Sequence, residues 1–224
     1  MAKLITIAVD AMGGDDSPRK IIAGIVHHFN KNKNCFYKIF GNKDEILKFI
    51  PKNFNNDFYE VVHTYEKVEG SDTPLGAAKK GKNTSMWLAI ESVRKKQSDV
   101  IISAGNTGAL LVISKLNLKM IENIDKPALS GLWPSKKGMS VVLDLGANID
   151  CSDKNLSDFC VMGASLCKAL FPNENPKVAL LNIGTEAEKG NEIIKNTYQK
   201  LIKLNNTNYE FKGFIEGNEL MDGE

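Results

Sequence analysis

The stretch V-I-I-S-A-G-N-T-G, residues 100–108, places an apolar run directly before a polar loop that carries two glycines. Four further loops of this kind follow apolar runs: V-D-A-M-G-G-D (9–15), D-L-G-A-N (144–148), N-I-G-T-E (182–186) and I-E-G-N (215–218). Most of them lead into a segment with helical periodicity. A strand, a glycine turn and a helix, repeated, predict an α/β fold with a parallel sheet. Because ligands bind outside the carboxyl ends of such strands, we expect the loops to converge on one cleft.

Composition limits the classes of protein to consider. The chain has 224 residues, of which 42% are hydrophobic and 25% charged, and we expect one α/β domain over residues 1–224. A net charge of +2 is too balanced to favour a nucleic acid partner. The four cysteines form no C-x-x-C pair, so we expect no metal site and the reduced thiols of a cytoplasmic protein. We also expect no cofactor. The apolar runs are too interrupted for a membrane span, and association with a membrane surface stays open.

Three segments depart from the repeating order of strands and helices. Residues 128–133 and 139–145 predict a hairpin, with antiparallel pairing as one arrangement. Residues 66–83 have no clear period, which is typical of a lid, a binding loop or a partly helical segment. The sequence stops just after a strand and a glycine loop. Because a parallel strand normally needs a covering helix, we expect a C-terminal part of the domain to be missing.

The glycine loops predict an anion site. Glycine lets the backbone approach a ligand, and the free N–H groups at a helix start favour a negative charge. We expect phosphate to bind at Ser103, Gly105 and Thr107, with Gly13 and Gly14 as a second loop. The alternative for each loop is a tight turn without a ligand. The Walker, dinucleotide and serine-hydrolase glycine motifs are all absent from the sequence.

Polar side chains near these loops supply the remaining chemistry. Together they are able to place a phosphate and polarise a carbonyl without a covalent intermediate. The set comprises the carboxylates Asp10, Asp15, Asp144, Glu186 and Glu216, the amides Asn106, Asn148 and Asn182, and Lys189.

Basic residues are bunched in two places. Such runs are typical of a solvated helix end, and the alternative is a docking patch for an acidic partner. The two groups are Lys79, Lys80 and Lys82, and Arg94, Lys95 and Lys96.

In their order and spacing, the loops resemble the PlsX family of acyl-acyl carrier protein:phosphate acyltransferases of bacterial phospholipid synthesis. The motifs are V-D-A-M-G-G-D, S-A-G-N-T-G-A-L, L-D-L-G-A-N, L-L-N-I-G-T-E-x-x-K-G and F-I-E-G, and the resemblance covers residues 7–223. The sequence departs from the family pattern at Thr185, which precedes Glu186, and at Gly81 and Thr84 in the basic segment. The resemblance implies a three-layer α/β/α sandwich with a mainly parallel sheet, like isopropylmalate dehydrogenases and phosphotransacetylases, a homodimer and peripheral membrane contact.

The resemblance also implies a reaction, in which inorganic phosphate attacks the thioester of a fatty acyl group on acyl carrier protein. We expect Asn106 to act on the phosphate, Asn148, Asn182 and Lys189 to act on the carbonyl or leaving group, and the two basic groups to bind the carrier protein. The carboxylates orient the loops or, alternatively, one relays a proton to the thiolate. A glycerol-3-phosphate acyltransferase would act downstream. Two alternatives remain: a phosphate acetyl- or butyryltransferase-like enzyme that uses acyl-CoA, and a non-catalytic remnant that binds phosphate or carrier protein.

Overall fold

The computed structural model describes residues 4–186, 188–204 and 208–223. The chain divides into two compact units, Met1–Lys119 (unit 1) and Met120–Glu224 (unit 2). The expectation of a single domain over residues 1–224 stays a prediction.

Unit 1 alternates strands and helices, as the sequence predicts. Its strands form one parallel sheet in the order β3-β2-β1-β4. The elements are β1 (Ile5–Asp10), α1 (Arg19–Lys31), β2 (Cys35–Gly41), α2 (Lys43–Leu47), β3 (Tyr59–His63), α3 (Pro74–Lys79), α4 (Ser85–Arg94), β4 (Val100–Ser103) and α5 (Thr107–Leu118).

Helices cover both faces of this sheet, because successive strand residues point to opposite sides. Val9 and Ile39 pack with Phe29 of α1 in one buried cluster. The neighbouring residues Ala8 and Phe40 pack with Ala89 of α4 in another buried cluster. Unit 1 therefore has the α/β/α layering that the family resemblance implies.

The register of the sheet brings two glycine loops to the same edge. Asp10, the last residue of β1, is the partner of Ser103, the last residue of β4. The loops that follow the two strands must therefore begin side by side. This pairing, of residues 93 positions apart in sequence, positions the candidate site.

Unit 2 contains a hairpin and a second parallel pair. β5 (Gly131–Ser135) and β6 (Gly138–Val142) pair antiparallel, which resolves the arrangement that the sequence left open. After α6 (Asp153–Leu170), β7 (Lys177–Leu181) and β8 (Glu210–Ile215) pair in parallel around α7 (Glu192–Lys203). Their core contains Cys160, Leu180 and Phe214.

Helix α6 begins earlier than its apolar periodicity predicts. The periodicity starts at Leu156, whereas the helix starts at Asp153. Ser152 accepts a hydrogen bond from the Asn155 backbone N–H, and the Asn155 side chain accepts one from the Ser152 backbone N–H. This reciprocal cap stabilises a polar first turn that contributes nothing to the hydrophobic pattern.

Candidate functional site

The two glycine loops of unit 1 touch each other. The Ser103 hydroxyl donates a hydrogen bond of 2.8 Å to Asp10 Oδ2 and accepts one of 3.1 Å from the Gly105 backbone N–H. A Cβ atom at Gly13 would lie 2.7 Å from Asp10 Oδ2 and 2.9 Å from the Gly105 nitrogen. The structure thus brings Asp10, Gly13, Ser103 and Gly105 together, as the sequence predicts.

The carboxylate of Asp10 lies inside this junction, with only 1% of the residue exposed. Oδ2 accepts from Ser103, and Oδ1 accepts from the Met12 backbone N–H at 3.3 Å. Burial raises the pKa of Asp10 above its ordinary value, and the hydrogen bonds from Ser103 and the loop backbone oppose that shift. A carboxylate so enclosed has no open path to a bound ligand.

The loops are built for backbone contact and leave no room for side chains. Gly14 has φ +88°, and a Cβ atom there would lie 2.6 Å from the Ala104 carbonyl oxygen. At Gly105 a Cβ atom would lie 3.1 Å from Met86 and 3.3 Å from the Ser103 hydroxyl. Glycine is therefore required for a steric reason, independent of any ligand.

Asn106 caps α5. Its Oδ1 accepts from the Ala109 N–H at 3.0 Å, and its Nδ2 donates to the Gly70 and Asp72 carbonyls at 3.1 and 2.8 Å. Both ends of the amide are engaged by the protein. The role of Asn106 towards a substrate stays a prediction, and its contacts are those of a residue that positions the helix start and residues 70–72.

Residues 66–83, which the sequence left open as a lid, a binding loop or a partly helical segment, form a partly helical strap beside the start of α5. Its helix α3 begins at Pro74 and is capped by Thr73, whose hydroxyl accepts from the Gly76 N–H at 3.1 Å. A capping threonine followed by proline is a helix-start signal that the sequence does contain. A Cβ atom on Gly108 would lie 2.7 Å from Pro74, so the strap packs directly against α5.

The D-L-G-A-N loop of unit 2 is organised by Asp144. Oδ1 accepts from the backbone N–H groups of Leu129 and Ala147 at 2.7 and 3.2 Å. Oδ2 accepts from the backbone N–H and the Nδ2 of Asn148 at 2.7 and 3.0 Å. Asn148 Nδ2 also donates to the Pro127 carbonyl at 2.8 Å. These contacts support the prediction that Asp144 orients its loop, and they leave the Asn148 amide nitrogen engaged.

The N-I-G-T-E loop is closed by Asn182. Its Nδ2 donates to the carbonyls of Gly184 and Lys189, both at 3.1 Å, while its buried Oδ1 has no hydrogen-bond partner among the described residues. A Cβ atom on Gly184 would lie 2.8 Å from Glu186 Oε2 and 3.0 Å from Lys189 Cγ. The structure therefore brings Asn182, Glu186 and Lys189 into one loop.

The predicted residues form separate groups within each unit. In unit 1, Thr107 is the exposed first residue of α5, and Gly14 and Asp15 are exposed in the loop after β1. In unit 2, the Glu216 backbone N–H donates to Glu219 Oε2 at 2.7 Å, so a local contact holds the start of the I-E-G-N loop. The convergence of all five loops on one cleft stays a prediction.

The two basic groups lie at opposite ends of α4. The first group, Lys79, Lys80 and Lys82, precedes the helix. It lies on the strap that Asn106 holds at the edge of the sheet where the loops after β1 and β4 lie, called here the loop edge. The second group ends α4, and there Glu91 accepts from Arg94 and Lys95 at 2.7 and 2.9 Å. Ten helical residues, or about 15 Å, separate them. The sequence treats these groups together as one candidate patch, and the structure separates them.

An open cavity of about 450 Å³ lies in unit 2, around Lys126, Cys151 and the start of α6. Lys126 Nζ donates to the Asp150 carbonyl at 2.6 Å, and burial raises the pKa of the Cys151 thiol. A raised pKa makes the thiol less nucleophilic at neutral pH. The cavity therefore offers weaker support for catalysis than the paired loops of unit 1.

The described residues contain neither a cluster of metal ligands nor a helix suited to a membrane span. No group of three or more histidine, cysteine, aspartate or glutamate side chains in them is arranged to hold a metal ion. None of the described helices combines the length and apolar character needed to cross a membrane.

Comparison with known proteins identifies the family. The family described as "Fatty acid synthesis protein" matches residues 5–224. The chain is 66% identical to a phosphate acyltransferase of Pelagibacter ubique, over all of this chain and 67% of that protein. It is 38% identical to the phosphate acyltransferase of Paramagnetospirillum magneticum, over all of this chain and 64% of that protein.

The chain belongs to the fatty acid synthesis protein family. The resemblance to the PlsX family is thereby confirmed, and the names of the relatives identify it as a family of acyltransferase enzymes. The chain spans about two thirds of the length of these relatives, at 67% and 64%.

Solved structures confirm the fold class. The EutD phosphotransacetylase from Staphylococcus aureus superposes with a TM-score of 0.64 at 15% identity, covering 95% of this chain and 69% of that one. A branched-chain phosphotransacylase from Enterococcus faecalis V583 gives 0.58 at 15% identity, covering 96% and 68%. The predicted phosphotransacetylase-like α/β fold with a mainly parallel sheet is confirmed.

Proposed function

We propose that the whole protein transfers an acyl group from a thioester on acyl carrier protein to inorganic phosphate. The observation that carries the proposal is the contact between the two glycine loops of unit 1, backbone against backbone at Gly13 and Gly105, directly before the start of α5. Helix starts bind anions through free N–H groups and the helix dipole. The relatives are named phosphate acyltransferases, which supports the transfer of an acyl group to that phosphate.

The reaction needs positioning more than activation. An oxygen of hydrogen phosphate attacks the thioester carbonyl, the C–O bond forms, the C–S bond breaks, and the phosphate proton ends on the thiolate sulfur. Phosphate is already an anion, so no base has to generate it. Holding the reactants in line contributes up to about 7–11 kcal/mol in favourable cases. A single donor to the oxyanion contributes about 3–4 kcal/mol.

The backbone N–H groups that begin α5 at Thr107 are the proposed phosphate donors. Gly105, whose own N–H binds the Ser103 hydroxyl, brings the backbone close to the ligand in this proposal, and Gly13 and Gly14 form the second wall. Asn182 and Lys189 are the proposed groups for the carbonyl or the leaving thiolate. Asn148 joins them in the proposal, although its amide nitrogen already binds Asp144 and the Pro127 carbonyl. Homodimer formation, membrane contact and supply of a glycerol-3-phosphate acyltransferase rest on the family resemblance.

The deciding experiment uses the full-length protein and acyl carrier protein loaded with a fatty acyl thioester. We expect acyl phosphate, trapped as a hydroxamate, to appear together with free carrier thiol only when phosphate is present. Acyl-CoA as the donor is the parallel arm. If the protein forms acyl phosphate from acyl-CoA but not from acyl carrier protein, the acyl-CoA alternative is correct. If neither donor gives a phosphate-dependent product, the result favours the non-catalytic remnant.

The basic groups offer a second test of the carrier protein. Lys79 and Lys82 are exposed at the loop edge, and Lys80 is held at 2.6 Å by Asp72. We expect the double reversal Lys79→Glu with Lys82→Glu to slow transfer from the carrier protein without changing transfer from acyl-CoA, since such charges mainly raise the association rate. The matched reversal Lys95→Glu with Lys96→Glu lies at the far end of α4. Equal slowing by both pairs would contradict docking at the loop edge.

A further inference from the structure

The buried carboxylate of Asp10 has no role in the reaction as proposed. A carboxylate with 1% exposure is costly to bury unless hydrogen bonds compensate for the lost water. Asp10 lies where the loop after β1 meets the loop after β4. Both of its oxygens accept hydrogen bonds, one from the Met12 N–H and one from the Ser103 hydroxyl.

The second bond fixes the direction of a proton. In its ionised form the Asp10 carboxylate only accepts, so in that form the Ser103 hydroxyl points its proton at Asp10. The oxygen of that hydroxyl then turns a lone pair to the Gly105 N–H, 3.1 Å away. Neither the Ser103 proton nor the Gly105 proton remains directed at a ligand. The sequence expectation that Ser103 binds phosphate directly is difficult to reconcile with this arrangement.

We propose that Asp10 is a positioning residue of the phosphate site, which acts through the Ser103 hydroxyl to hold the Gly105 backbone and the start of α5 in place. Ser103 joins Asp10 to the Gly105 backbone by its two hydrogen bonds, an arrangement called here the relay, and it therefore acts on the loop instead of on the phosphate. The inference rests on the proposed function, because the ligand at the start of α5 is the phosphate of that reaction.

The substitution Asp10→Asn is the sharpest probe, because it preserves the size of the side chain. Met12 and Ser103 donate to different carboxylate oxygens, and an amide in the same place puts a donor nitrogen at one of those two positions. Either the Met12 N–H loses its acceptor, or the Ser103 hydroxyl turns its proton away. The loop is then held less firmly in both the ground state and the transition state.

The expected result is a rise of about tenfold in KM for phosphate, equivalent to about 1.4 kcal/mol, with little change in kcat or in KM for the acyl donor. Ser103→Ala should give the same rise, and the double variant should be no worse than either single variant. Ser103→Thr retains the hydroxyl and should restore KM to near the wild-type value. Asp16→Asn, in the same loop and exposed, is the matched control.

Effects that multiply in the double variant would overturn the relay, since they would show that Ser103 contacts phosphate independently of Asp10. An unchanged phosphate KM in Asp10→Asn, in a protein that does turn over, would also overturn it while leaving the proposed function intact. If the wild-type protein forms no acyl phosphate, the proposed function fails, and titration with inorganic phosphate alone tests the relay. Weaker phosphate binding in Asp10→Asn then supports it, and equal binding overturns it.

Discussion

The glycine loops of the two units are held in different ways. In unit 1 the polar side chains bind other loops: Ser103 binds Asp10, and Asn106 binds the Asp72 carbonyl on the strap. In unit 2 they bind mostly their own loop or the segment before the hairpin: Asp144 binds Asn148, and Asn182 binds the Gly184 carbonyl. The parallel sheet of unit 1 sets strand ends side by side, so its side chains can bridge loops.

The contrast separates two kinds of effect. A side chain that closes its own loop contributes mainly to local stability. A side chain that joins two loops also sets the distance between them, and with it the shape of any site they share. Substitutions in unit 2 should therefore appear first in the free energy of unfolding, and those at the loop edge of unit 1 should appear first in phosphate binding.

The largest effect is expected at Asp144. Replacing it with alanine leaves four donors without their carboxylate partner. We expect the free energy of unfolding to fall by about 2–4 kcal/mol, because hydrogen bonds to a charged group are worth more than neutral ones. Urea unfolding of the full-length protein measures it. Asp150→Ala, an exposed carboxylate nearby, should stay within about 0.5 kcal/mol. Similar values for the two variants would contradict the role of Asp144.

The next effect is expected at Gly13, where the loop after β1 touches the loop after β4. The added methyl group of Gly13→Ala meets Asp10 Oδ2 and the Gly105 nitrogen, so the loops must separate. Forcing a methyl group into a packed site costs about 1–3 kcal/mol. We expect the phosphate KM to rise even under conditions where the variant is fully folded, so that the lost stability does not account for the rise.

The control for Gly13 is Gly24→Ala. Gly24 lies in α1, and a Cβ atom there meets nothing within 4 Å. Alanine is the better helix former by about 0.5–1 kcal/mol, so this variant should be more stable and bind phosphate normally. A normal phosphate KM in Gly13→Ala would show that the contact between the loops has no bearing on the ligand.

The sequence predicts many of the strands and helices well, because apolar runs and glycine turns are local signals. Strand β7 is predicted with its observed bounds, Lys177–Leu181. The first turn of α6 is missed because capping by Ser152 and Asn155 leaves no hydrophobic period. Helix α3 is left open because Gly76 and two further glycines obscure a six-residue helix whose start is marked by Thr73 and Pro74.

The candidate site shows a sharper limit. The sequence brings Asp10 and Ser103 to one edge, because both end parallel strands. It does not predict that the Ser103 hydroxyl donates to Asp10, or that the Asn106 amide nitrogen donates to the Gly70 and Asp72 carbonyls. Both facts depend on side-chain directions set by contacts between distant segments. Residue type alone therefore identifies the neighbourhood of the site but not which groups remain free for a ligand.

A smaller effect is expected in the pH dependence of stability. Burial raises the pKa of Asp10 in the folded protein, so the folded state holds a proton that the unfolded state has released. The contribution is fully present below the ordinary pKa of 3.8 and is lost as pH rises through the raised value. Relative to Asp10→Asn, the wild type should gain stability as pH falls towards 3.8, by at most about 1.4 kcal/mol per pH unit. Parallel curves for the two proteins would contradict the shift.

The smallest effect is expected at Glu91, at the end of α4 away from the loops. Its bonds to Arg94 and Lys95 hold the pKa of this carboxyl below its usual range, so the contribution is present at neutral pH and lost as pH falls through the lowered value. The pairs lie at the surface, where such contacts contribute about 0–1 kcal/mol and are screened by salt. Glu91→Gln should therefore lower stability slightly at low salt and leave the phosphate KM unchanged. A change in phosphate KM would mean that this end of α4 is coupled to the loop edge, and the separation of the two basic groups would lose its functional meaning.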